Sequence, residues 1–191
     1  MAFPSSSDRK MRSLRRLCCR LPFYRRDMKE CGLYIIKQSY FDLIRRLGGD
    51  CDDASCTKRP VYCCVKDAIV EGLYWAIPTS DYSHRSQEQI DKINDYLSKS
   101  DSDLRSCYYH IARTTKRAIY KISSCFPITD AYIDHEFTSY GQHVVLRNKT
   151  VTSELERKLH RILSFEAHKN NYFPQKITAI KSFLINELQE K

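Results

Sequence analysis

The chain has 191 residues, a length that suits one domain hiding roughly 70% of the surface its unfolded chain would expose. Its 42% hydrophobic and 12% aromatic content argues against disorder along most of the length, and no run approaches the ~20 apolar residues of a membrane-spanning helix. The net charge of +9 is unevenly placed: residues 1–30 carry nine Lys/Arg against three acids, so that segment is +6 and the remainder shares only +3.

Residues 1–29 read as a basic, flexible arm. Arg12, Arg15, Arg16, Arg20, Arg25 and Arg26 suit an acidic partner, either nucleic acid or an anionic membrane face. Phe23 and Tyr24 stand between arginines, where they could stack on bases. Cys18–Cys19 in the same basic surroundings would suit a lipid anchor. Leu33, Ile36, Tyr40, Leu43 and Leu47 then recur at helical spacing, and Gly48–Gly49 stops the run. A polar loop follows over residues 50–60.

A second helix is expected from Cys63 to Ile77, striped by Val65, Ile69, Leu73 and Ala76 and ended by Pro78. Ser86 and Gln89 form a capping box for a third, about 87–99. Leu104, Cys107, Ile111, Ala118 and Ile122 suggest a fourth over 103–124, with one bent helix through both as the alternative. Residues 125–150 lose this periodicity and read as irregular chain or one short hairpin, a long connection. Ser153 with Glu156 opens a fifth helix, and Pro174 leads a sixth striped by Ile177, Ile180, Leu184 and Leu188. The expected architecture is therefore all-α: a single bundle of five to six amphipathic helices over residues 30–191, preceded by the arm.

No glycine-rich phosphate loop, GxSxG elbow or HExxH occurs, and no catalytic residue, cofactor site or metal site is assigned. The six histidines lack ligand spacing apart from a loose His135/His143 pair. Four thiols, Cys51, Cys56, Cys63 and Cys64, could fill a tetrahedral zinc site, but adjacent cysteines rarely ligate one ion without strain. Nine cysteines would mean a disulfide framework in a secreted chain and buried thiols in a cytosolic one. The basic N-terminal stretch lacks the apolar core of a secretory signal; Leu17–Phe23 comes nearest, and Arg20 interrupts it. Asn148-Lys149-Thr150 is a glycosylation acceptor triplet, relevant only after secretion.

Three stretches carry a resemblance: VYCCVKDAIVEGLYW (Val61–Trp75), SQEQIDKINDYLSKSDSDLRSC (Ser86–Cys107) and TAIKSFLINEL (Thr178–Leu188). Together they resemble the interleukin-10 family of helical cytokines, nearest to its interleukin-19/interleukin-20 branch. The resemblance implies a secreted bundle stapled by disulfides at Cys31, Cys63, Cys64 and Cys107, which binds a class II cytokine receptor and catalyses nothing. The competing expectation is a cytoplasmic or nuclear interaction protein, of viral or cellular origin. Its arm would bind RNA, DNA or membrane, and its bundle would engage a host factor.

Overall fold

A computed structural model of the protein describes residues 28–50, 61–113 and 116–190. The basic arm, apart from Met28 and Lys29, lies outside the described residues, as do Cys51 and Cys56.

The expected all-α bundle is not what forms: the chain builds a mixed α/β fold around a seven-stranded antiparallel sheet. The strands are β1 (Gly32–Ile36), β2 (Val61–Lys66), β3 (Leu73–Asp81), β4 (Tyr109–Arg113), β5 (Arg117–Lys121), β6 (Phe126–Thr129) and β7 (Ile133–Glu136). They are ordered β4-β5-β3-β2-β1-β7. The long β3 pairs with β2 along one side, while its other side is shared by β6 over Leu73–Ala76 and β5 over Thr79–Asp81. A separate hairpin, β8 (Thr138–Ser139) and β9 (Gln142–His143), turns at Tyr140–Gly141, both at positive φ. Four helices complete the fold: α1 (Gln38–Arg46), α2 (Gln87–Leu97), α3 (Lys149–Lys169) and α4 (Ile177–Gln189).

The helix expected over 63–77 is a β-hairpin. Its central strands are buried on both faces, so apolar side chains occupy nearly every position and a spacing of three or four can be drawn through them. Ile69, one member of that stripe, sits 89% exposed in the hairpin loop. The expected 103–124 helix is a short 3-10 turn at Leu104–Cys107 followed by the β4–β5 hairpin. Residues 125–150, expected to be irregular chain or one short hairpin, supply the short β8–β9 hairpin and also β6 and β7 of the main sheet. The first expected helix splits into β1 and α1. The Ser86–Gln89 capping box forms and opens α2. Asn148, not Ser153, caps α3, its Oδ1 accepting from the amides of Thr150 and Val151.

Side-chain alternation divides the core. On one face Tyr34, Ile36, Tyr62, Cys64, Tyr74 and Ala76 pack with Tyr40, Phe41, Leu43 and Ile44 of α1 and with Ile180 and Leu184 of α4. On the other, Leu33, Cys63, Val65, Trp75 and Ile77 pack with Leu155, Leu159 and Ile162 of α3. The Tyr40 hydroxyl donates to the Pro127 carbonyl, tying α1 to β6.

The expected disulfides are corrected by the same geometry. Cys63 and Cys64 are neighbours on one strand and therefore point to opposite faces, which also excludes a shared metal ion. Cys31, Cys63, Cys64, Cys107 and Cys125 are all buried free thiols.

Candidate nucleic-acid interface

The β4–β5 hairpin concentrates charge. Arg113 and Arg117 stand directly opposite each other in its register, and Lys116 is exposed between them. Like charges facing across an antiparallel pair repel, so this placement costs stability unless an anion shares the two guanidinium groups. Arg117 lies with its guanidinium carbon 3.9 Å from the centre of the Tyr82 ring, a cation–π contact that fixes its direction. Arg113, Lys116, Arg117, Tyr82, Ile111 and Asp81 line an open groove of about 810 Å³. The one carboxylate among them, Asp81, is occupied. It accepts from the hydroxyl (2.6 Å) and backbone amide (2.8 Å) of Ser83, which hold it below the usual carboxylate range. Its distance to the Lys116 ammonium is 3.9 Å. Three cations therefore face one internally engaged anion.

Ser80, opposite Ile119 in the register, has a buried hydroxyl with no hydrogen-bond partner among the described residues. His110, on β4 beyond β5, has a buried Nε2 that is likewise unmatched among the described residues. Burial and the nearby Lys158 ammonium lower its pKa, against the pull of Glu154, so its neutral form is favoured.

A second concavity of about 510 Å³ is aromatic, with Tyr62, Tyr108, Phe126, Tyr172 and Phe173 in its lining. Tyr172 is 55% exposed and meets Phe173 edge-on at 5.2 Å. Tyr108 meets Phe173 at 6.2 Å and Tyr96 at 5.8 Å, and Tyr96 stacks on Tyr109. These rings continue from the base of β4 towards the start of α4.

Of the residues singled out in the sequence, Cys31 and Cys63 are brought together, the Cys63 thiol lying 3.8 Å from the Cys31 carbonyl, and the rest do not converge on one site. Cys31 immediately precedes β1 at φ 54°, Cys63 and Cys64 lie mid-strand in β2, and Cys107 ends a 3-10 turn. Burial raises the pKa of Cys64, and it lifts Cys125 to about 12, so both are held as thiols. His135 contacts Asp134 at 3.2 Å, whereas the His143 ring meets the Leu33 carbonyl at 3.0 Å; the pair shares no ligand. Asn148 is an exposed helix cap. Arg12, Arg15, Arg16, Arg20, Arg25 and Arg26 lie outside the described residues.

The sequence reading missed Tyr82, Arg113, Lys116 and Arg117. Their signal was the basic run from Arg113 to Arg117, hidden by assigning it to a helix. No protein-family model matches the chain, and no curated protein does.

Proposed function

We propose that the protein binds nucleic acid through the β4–β5 hairpin. The cross-strand Arg113–Arg117 pair carries this reading. Two opposed guanidinium groups and a neighbouring ammonium suit the phosphate backbone, which is polyanionic and is contacted chiefly by Arg and Lys. The aromatic surface at half-buried Tyr108 and exposed Tyr172 supplies faces on which unpaired bases can stack. The excess charge of residues 1–30 would add electrostatic attraction. Receptor engagement by a disulfide-stapled bundle has no comparable support, because a sheet replaces the bundle and the described thiols are free.

The test compares the intact chain with Arg113→Ala/Lys116→Ala/Arg117→Ala by titration of a labelled oligonucleotide over a salt series. Each lost phosphate contact should flatten the plot of log affinity against log salt by about 0.7–0.9, so the triple variant should lose roughly two units of slope. Unchanged affinity and slope would refute the hairpin as the interface. A variant lacking residues 1–27 separates the arm's contribution from that of the hairpin.

A further inference from the structure

Away from the β4–β5 hairpin, α3, α4 and the β2–β3 loop enclose a groove of about 940 Å³. Its walls are apolar: Val65, Trp75, Leu159, Leu163, Ile177 and Ile185. Ile69 stands at its rim, 89% exposed, an aliphatic side chain the fold itself leaves uncovered.

The groove's lining is net acidic, on a molecule of net positive charge. Glu30, Asp67, Glu156 and Glu166 line it against Lys66 and Lys181. Three of the acids have internal partners: Asp67 holds Lys181 at 3.2 Å, Glu166 accepts from the amides of Asn171, Tyr172 and Phe173 and from the Thr178 hydroxyl, and Glu30 accepts from the Lys66 amide at 2.9 Å through one oxygen. Glu30 and Glu156 are the exposed acids of the four, with carboxylate oxygens within 4.8 Å of each other and no cationic side chain paired with either among the described residues. Such a pair repels itself and fits a guanidinium fork.

We propose that the occupant is the chain's own segment Met11–Leu21. Met11, Leu14, Cys18 and Leu21 recur at spacings of three, four and three, the anchor pattern of a helix laid in a groove. Arg12, Arg15, Arg16 and Arg20 fall between these anchors, available to the Glu30–Glu156 pair. The connection is short. The segment joins the described fold at Met28, two residues before Glu30, and the seven residues from Leu21 to Met28 reach up to about 25 Å. Covalent attachment keeps the local concentration high, so modest affinity suffices for occupancy. The inference stands on the groove and the segment, independently of the nucleic-acid reading.

Crosslinking tests it in the full chain. Ser182 lines the groove and is exposed, and the described native thiols are buried, so Ser182→Cys presents a reactive thiol there. A short bismaleimide should link it to Cys18 or Cys19 within one molecule, identified by mass spectrometry of the digested monomer. Gln87→Cys, exposed at the start of α2, should give no such link. Adding Leu14→Asp and Leu21→Asp to Ser182→Cys should lower the yield at least about tenfold, since each lost anchor weakens docking by a decade or more. Glu156→Lys should lower it as well. Links absent from Ser182→Cys, equally frequent from Gln87→Cys, unaffected by the leucine changes or formed only between two molecules would overturn the proposal.

Discussion

Asp67 shows how much one side chain can organise. It begins the β2–β3 turn, where Oδ1 accepts from the amides of Ile69 and Val70. Its Oδ2 accepts from Trp75 Nε1 at 2.8 Å and from the Lys181 ammonium at 3.2 Å. Burial opposes the charge, but the two amides and Lys181 outweigh it, and the carboxyl titrates below its ordinary value of 3.8. A carboxylate whose folded pKa is depressed contributes stability above its unfolded pKa, and that stability fades as pH falls through the folded value. Asp67→Asn should therefore cost about 1–3 kcal/mol at neutral pH and flatten the acid limb of the stability profile below pH ~4. Urea unfolding at several pH values measures both effects, and an unchanged midpoint would show that the turn does not depend on the carboxylate.

At the scale of elements, local signals succeeded where the structure they specify is local. The Ser86–Gln89 box closes with its own backbone and opens α2, and Ile177, Ile180 and Leu184 face the core on α4 as their spacing suggests. For α3 the competing signal lay five residues after a better one. Asn148 serves two amides, whereas the Ser153–Glu156 pair lies inside the helix. Asn148→Ala should lower stability by about 1 kcal/mol and Asn148→Ser by much less, both read from denaturant midpoints. Equal losses would assign Asn148 a role other than capping. The strands were misread because burial on both faces erases the alternation that identifies a half-buried strand. Val61–Lys66 and Leu73–Ile77 are almost wholly apolar or aromatic, and their β-branched and aromatic enrichment was the surviving clue.

For the whole molecule, the cysteine count changes meaning once the sheet is known. The five described thiols fill core positions on both faces, where a cysteine behaves as a small apolar side chain. Reductant should leave the melting temperature unchanged, and alkylation under native conditions should spare Cys31, Cys63, Cys64, Cys107 and Cys125 until unfolding. A marked fall in melting temperature on reduction would restore a covalent framework. The candidate interface has the same origin as the core: Arg113 and Arg117 are four residues apart in a run that looks helical, and become opposed only because the chain reverses between them. By itself the sequence determined the +6 charge of residues 1–30, the helix stop at Gly48–Gly49, the α2 capping box and the buried face of α4, since each depends on composition or on residues within one or two turns. Only the tertiary structure decided which apolar runs are strands, which face each cysteine takes, and that Tyr82 meets Arg117, because β-pairing joins residues far apart in the chain and its register follows from packing against both helical layers.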